Sequence, residues 1–233
     1  MVNQRWNAIV TWLWPGRCPL CRGRSGTRSD LCHGCHSALP WLHTACQRCA
    51  APLASSARTC GQCQRKPPPF DRACAAVRYE KPVDRLVLNL KYHRRLEFAR
   101  TLGELLATRL QAMASPDAMV DFIVPVPLHA ARLRERGYNQ SLEIARVVAR
   151  QLGAPIAARA ARRVRATAAQ TALPLKQRAR NVRNAFAVDR SLRGKRVAIV
   201  DDVMTSGHTV GALAKALRRA GAKEIAVWVV ARA

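Results

Sequence analysis

Apolar positions along this chain fall into two rhythms. Short, nearly continuous apolar runs of strand length occur at Cys74 to Tyr79, Val120 to Val126, Ile156 to Arg162, Arg196 to Val200 and Glu224 to Ala231. Between them, Val83 to Tyr92, Glu97 to Ala114 and Ser141 to Leu152 carry apolar residues at helical spacing. A further helix is predicted after Thr209, where Val210, Leu213, Ala214 and Leu217 follow i, i+3, i+4, i+7 and Gly221 closes the run. Strands apolar on both faces and alternating with helices predict an α/β fold, a parallel sheet with helices on both sides. Neither rhythm extends through the region before Cys74. The opening stretch Met1 to Pro15, with Trp6, Ile9, Val10, Leu13 and Trp14, has helical spacing but is too short to cross a bilayer. It is expected to pack against its own domain rather than lie on a membrane surface. Pro67-Pro68-Pro69 forms a stiff linker, which divides the chain into residues 1–70 and 71–233.

Cysteine changes the picture of the first part. All nine cysteines precede Tyr79, and eight form four C-x-x-C pairs: Cys18/Cys21, Cys32/Cys35, Cys46/Cys49 and Cys60/Cys63. The unit C-x₂-C-x₁₀-C-x₂-C occurs twice at an offset of 46 − 18 = 28, an internal repeat. Each pair can offer two thiolates to one metal from a tight turn, and two turns complete a tetrahedral Cys₄ site for Zn²⁺. A disulfide framework is the competing use of these cysteines. The chain has no secretory signal with an apolar core and cleavage site, which favours a reducing cytoplasm and metal, with iron–sulfur clusters as the minor alternative. Four pairs match in three ways. Sequence neighbours are preferred, Cys18/Cys21 with Cys32/Cys35 and Cys46/Cys49 with Cys60/Cys63, and an interleaved arrangement stays open. With all four positions filled by protein, such sites are structural. Cys74 is left as a buried structural thiol.

The strand Arg196 to Val200 stops at Asp201-Asp202, and Thr205-Ser206-Gly207-His208-Thr209 then leads into the predicted helix. The turn therefore sits on a helix N-terminus, where free N–H groups and the positive end of the dipole meet an anion. Gly207 permits close approach of the backbone, and three hydroxyls add donors. Two adjacent acids offer acceptors for vicinal sugar hydroxyls, so a ribose 5-phosphate satisfies both halves. This run resembles the phosphoribosyl-pyrophosphate (PRPP) motif of type I phosphoribosyltransferases. The resemblance implies that fold, assigns Asp201 and Asp202 to the ribose hydroxyls, and gives the 5′-phosphate to Thr205, Ser206, Gly207, His208 and Thr209. No G-x-x-x-x-G-K-[ST] or G-x-G-x-x-G occurs, which leaves triphosphate-hydrolase and dinucleotide folds without support.

Charge comes last because it discriminates least. The net charge of +26 suits polyanion partners, yet Arg supplies most of the forty basic residues alongside a high Ala content, as base composition of a genome also produces. Two basic stretches are more specific. Val124 to Gln140 leaves a strand through paired prolines and carries Arg132, Arg134 and Arg136, a loop suited to clamp pyrophosphate. Arg165 to Asn184 has no burying period before Leu175 and is expected to be a mobile lid.

Pro125-Val-Pro-Leu-His129 with Arg136-Gly-Tyr-Asn-Gln140, then Thr167, Gln170, Leu173, Arg178 and Asn181, resemble the ComF/GntX family across essentially the whole chain. Members join an N-terminal zinc ribbon to a phosphoribosyltransferase domain. Leu90-Lys91-Tyr92 fits the family's Leu-Lys segment and implies Lys91 at the site mouth. His208 is the one departure, at a variable position. The resemblance implies displacement of pyrophosphate from C1 of PRPP by a nitrogen nucleophile, with Mg²⁺ on the pyrophosphate and ribose oxygens and the lid excluding water. The runner-up it leaves is a non-catalytic alternative, handling of incoming single-stranded DNA together with uptake machinery. A pure zinc docking module would leave Asp201 and Asp202 without a use. The acceptor is not legible.

Overall fold

The computed structural model describes residues 16–25, 30–54, 57–113, 119–165 and 184–233. The Met1 to Pro15 segment and most of the expected lid, Thr167, Gln170, Leu173, Arg178 and Asn181 included, lie outside these residues.

Four strands form one parallel sheet in the order β1 (Arg72–Arg78), β6 (Glu224–Arg232), β5 (Arg196–Met204) and β2 (Phe122–Pro125). Strand pleating sends alternate side chains to opposite faces. On one face Ala198, Val200, Trp228 and Val230 pack with Leu86 and Leu90 of α3 (Val83–Tyr92), Leu102 and Leu106 of α4 (Glu97–Ala112), and Ile144 and Val148 of α6 (Gln140–Leu152). On the other, Val197, Ile199, Val227 and Val229 pack with Val210, Leu213 and Leu217 of α7 (His208–Arg219). Phe186 of a small antiparallel pair, β3 (Ala161–Arg163) and β4 (Phe186–Val188), joins that second layer. The chain therefore crosses to one face after β2 and to the other after β5, and these strands are neighbours. Such a switch point leaves a crevice at the carboxyl ends of the two strands.

Helices α4 and α6 approach closely at Gly103, where an added Cβ would meet Val147 Cβ at 2.6 Å and the Ile144 carbonyl oxygen at 3.1 Å. Overpacking of that kind costs about 1–3 kcal/mol, more than the roughly 1 kcal/mol by which Ala exceeds Gly in helix propensity. Gly103→Ala is expected to lower the midpoint of denaturant unfolding with zinc content unchanged. A raised midpoint would show that α6 simply moves aside.

The 28-residue repeat is structural as well as sequential. Cys18 N–H donates to Gly23 O and Arg22 N–H to Cys18 O, as Cys46 N–H does to Ala51 O and Ala50 N–H to Cys46 O. Arg22 and Ala50 each take a left-handed backbone, at φ 63° and 53°. Backbone bridges Arg17–Arg24 and Ala45–Pro52 stand at the same offset. So do α1 (His33–Ser37) and α2 (Gly61–Arg65), which begin after Cys32 and Cys60. The segment between the two units and the start of the second lie along the outer edge of β1: Leu42 N–H donates to Ala76 O, Ala73 N–H to Gln47 O, and Arg78 N–H to Pro40 O. An edge strand whose hydrogen bonds would otherwise be open is thus covered by the Cys-rich part. Cys74 is buried as expected, its Sγ 3.6 Å from Met113 Sδ, and burial pushes its thiol up to about 11.

Three expectations need correction. The strand expected over Ile156 to Arg162 is a single bridge, Ile156 with Ile123, followed by a turn and then β3. An apolar run does not reveal where a chain leaves one sheet for another. Strand β5 does not stop at the acids but runs through them to Met204, because β6 continues beside it with Val229 opposite Asp201 and Arg232 opposite Met204. Arg132, Arg134 and Arg136 stand not on a loop but on a helix, α5 (Ala130–Arg136), whose Ala, Leu and Arg residues are good helix formers. His129 Nδ1 accepts from Ala131 N–H at its start, and Gly137 at φ 86° ends it.

Candidate functional site

Two groups of four sulfurs are assembled, Cys18, Cys21, Cys32 and Cys35, and Cys46, Cys49, Cys60 and Cys63, each with all ligand atoms within 4.8 Å of one another. Sequence neighbours pair, and the interleaved alternative is excluded. With Zn–S near 2.3 Å, a tetrahedron has S···S edges of about 3.8 Å. The Cys21–Cys32 and Cys49–Cys60 separations are 3.6 and 3.7 Å. Burial would raise the Cys18 thiol, but amide donors of Cys21, Cys32 and Leu20 outweigh it and bring it down to about 6. Against the same burial penalty, the amides of Cys60, Cys49 and Arg48 bring Cys46 down to about 7. Burial and neighbouring sulfurs push Cys35 up to about 12 and Cys63 upward as well. Each group thus holds a thiol ready to ionise and another that resists until a cation offsets the repulsion. A divalent metal fits both, and these are structural zinc sites.

The second centre is at the crevice. Asp201 and Asp202 are buried near the end of β5, close enough that each carboxylate acts on the other and both act on Lys91. Asp201 Oδ1 accepts from Ser141 Oγ at 2.7 Å and from Asp202 N–H at 3.0 Å. Ser141 is delivered by the first turn of α6, which Asn139 caps by accepting from the Ser141 N–H while its own amide reaches Val126 O. Burial first, and the Asp202 carboxylate second, push the Asp201 carboxyl up to about 7 despite the Ser141 bond. Asp202 Oδ1 takes Lys91 Nζ at 3.0 Å and the Val203 N–H at 2.6 Å. Its Oδ2 is buried without a partner among the described residues, an arrangement that costs about 1–3 kcal/mol unless a donor or cation arrives. Burial lowers the Lys91 pKa, but Asp202 and Asp201 outweigh it and hold the ammonium charged.

Past the acids, Thr205 and Ser206 are exposed and Gly207 turns the chain at φ 73° into α7, which no side chain among the described residues caps. Its first-turn N–H groups face whatever occupies the turn. A Cβ at Gly207 would find its nearest atom, Met204 Sδ, at 3.6 Å, so the backbone angle and not space calls for glycine. Ser206 Oγ and His208 Nδ1 lie 2.8 Å apart, and Thr209, the second residue of α7, is half-buried.

Of the three arginines on α5, Arg132 and Arg136 are half-buried and Arg134 points to solvent, as their i, i+2, i+4 spacing requires. Arg136 donates to Gln140 Oε1 at 2.6 Å and stands 5.7 Å from the Tyr92 ring centre. Arg163 is carried by β3 to a backbone bridge with His129. Burial and then Arg132 lower its pKa while Asp201 raises it, so these three charges share one field. Ser141 was read only as a helix start. The three tyrosines also went unassigned, although all gather here. Burial first, and then the Asp202, Asp84 and Tyr92 charges, raise the Tyr79 pKa against the opposing Lys91 ammonium. Tyr92 stands beside Arg136, and Tyr138 donates to Leu90 O.

Comparison with known proteins finds two family matches along the chain. Residues 9–64 match a double zinc ribbon domain and residues 139–233 a phosphoribosyl transferase domain. The chain is 38% identical over 221 residues to "DNA utilization protein YhgH" of Salmonella typhimurium, covering 94% of this chain and 97% of that one. It is 34% identical over 227 residues to "Competence protein F" of Haemophilus influenzae, covering 93% and 97%. Among solved structures, a glutamine PRPP amidotransferase from B. subtilis overlaps 56% of this chain and 25% of its own, at 26% identity and a TM-score of 0.38. Among the described residues no helix is long and apolar enough to cross a membrane.

Proposed function

The chain belongs to the ComF family, a double zinc ribbon joined to a type I phosphoribosyltransferase fold, and from that premise we propose that its crevice binds PRPP or a related phosphorylated ribose. The observation that carries the reading is a buried, half-satisfied acid pair beside an uncapped helix N-terminus. Asp201 and Asp202 accept the two ribose hydroxyls, and the 205–209 turn takes the 5′-phosphate on its amides and hydroxyls. Lys91 gives up part of its bond to Asp202 and turns to the ligand's oxyanions. Arg132 and Arg136, with Arg163 beside them, offset charge on departing pyrophosphate, and the acids stabilise positive charge growing on the ribose ring. Asp202, through its unpartnered Oδ2, would help hold a Mg²⁺ ion arriving with PRPP, which would supply charge neutralisation. The acceptor is a nitrogen nucleophile, and the names of the relatives suggest that the transfer serves DNA utilization.

This reading requires Asp201 ionised. With a pKa of about 7 in the folded protein, its ionised fraction rises about tenfold between pH 6 and 8, and apparent PRPP affinity follows that fraction. Calorimetry is expected to show about that gain in the wild type and a flat profile in Asp201→Asn. A flat wild-type profile would remove Asp201 from the binding step. Turnover is tested by pyrophosphate release against a panel of bases, amines and nucleic acids.

A second reading is favoured by a cleft of about 400 Å³ lined by Arg48, Lys215, Arg219 and an Arg218 paired with Asp71, over Pro68 and Pro69. In it the fold serves as a non-catalytic single-stranded DNA module, the cleft holding backbone phosphates. Gel shifts across a salt series separate the two: DNA binding that weakens with salt in a protein that does not bind PRPP favours the module.

A further inference from the structure

Arg232 ends β6, the strand between β1 and β5, so its side chain leaves the sheet at the carboxyl edge within reach of both neighbours. Its Nε donates to the carbonyl oxygen of Cys49, a zinc ligand, at 3.1 Å. Its Nη1 donates to Met204 O at 3.0 Å and Thr205 O at 2.6 Å, and also to Ala233 O. One planar guanidinium therefore joins a metal knuckle to the entry of the 205–209 turn. The knuckle end is stiff: Cys46 and Cys49 share a metal, Ala50 is fully buried in a left-handed conformation, and Ala50 N–H closes onto Cys46 O at 2.7 Å. At the turn end, peptide planarity carries the effect onward. In a trans peptide the C=O and N–H point in opposite directions, so holding the Met204 and Thr205 oxygens aims the Thr205 and Ser206 N–H groups away from Arg232. Those are donors of the proposed phosphate cradle. The first zinc unit docks elsewhere, through Asp30 on Arg100 and Thr101 of α4.

We infer that Arg232 is a positioning residue through which the second zinc site sets the phosphate turn, so that zinc at Cys46, Cys49, Cys60 and Cys63 and a bound 5′-phosphate stabilise each other. The inference rests on the PRPP reading above. Linkage makes it reciprocal. In the zinc-loaded full chain, saturating PRPP is expected to raise the affinity of one of the two zinc sites roughly tenfold in equilibrium competition with a chelating dye, within the usual 5- to 150-fold span of such coupling. Arg232→Met, which keeps the stem and removes the donors, is expected to abolish that gain and to weaken PRPP by about the same factor. PRPP that binds the wild type by calorimetry yet leaves both zinc affinities unchanged would overturn the coupling. If the wild type does not bind PRPP, the binding reading fails by itself, and hydrogen exchange decides the positioning role. The Thr205 and Ser206 amides should exchange faster in Arg232→Met than in the wild type. Equal exchange rates would remove Arg232 from the account.

Discussion

Replacing Asp201 and Asp202 together by asparagine is expected to weaken PRPP by roughly 10² to 10⁴, beyond detection in an ordinary calorimetric titration. Hydrogen bonds from a ligand to a charged acceptor contribute about 1.5–3 kcal/mol each, and two are lost. Asparagine keeps the shape, and its carbonyl oxygen can still accept from Ser141 Oγ at position 201. Stability separates binding from folding in the single variant. The Asp201 pKa is raised by burial to about 7, above its unfolded value. Its contribution to stability is therefore full below the unfolded pKa and is lost as pH rises through about 7. At pH 8 the ionised acid is a liability, so Asp201→Asn is expected to melt no lower than the wild type there while binding PRPP poorly. A variant that still binds PRPP with wild-type affinity would sink the assignment of this pair. One that loses binding only by melting lower would leave it a structural role.

Removing zinc is expected to have the largest effect on the fold. Structural zinc contributes on the order of 10–16 kcal/mol of apparent binding free energy at neutral pH, comparable to the whole stability of a domain at about 5–15 kcal/mol. Consequences should reach beyond the knuckles. Leu42, Gln47 and Pro40 hydrogen-bond to the outer edge of β1, so loss of the Cys-rich part opens that edge to pairing with other chains. Strong chelation should release two zinc ions per chain, lower the melting temperature sharply and promote aggregation, with recovery on adding zinc back. Two equivalents released with an unchanged melting curve would show that the Cys-rich part is dispensable to the sheet.

Much of the architecture was legible because local pattern decided it. The central strands are apolar on both faces, and that signal does not depend on partners. The acid pair and glycine turn were legible because their chemistry is contiguous in the chain. What was missed required distant segments to meet. Ser141 faces Asp201 only because α6 starts at the crevice, and Arg163 joins Asp201 and Arg132 only because β3 turns away from the sheet. The extent of β5 past its acids depended on β6 beside it, since a polar side chain does not interrupt a ladder whose neighbour continues.

By itself, then, the sequence determined the parallel α/β core, the doubled cysteine unit and the strand, acids and turn suited to a ribose phosphate, because each is written in residue type and local spacing. Tertiary structure alone decided which cysteine pairs share a metal, that the metal-bearing part covers the edge of β1, and that Arg232 ties Cys49 to the phosphate turn. Those outcomes depend on three-dimensional proximity between residues as much as 183 positions apart, which no local period encodes.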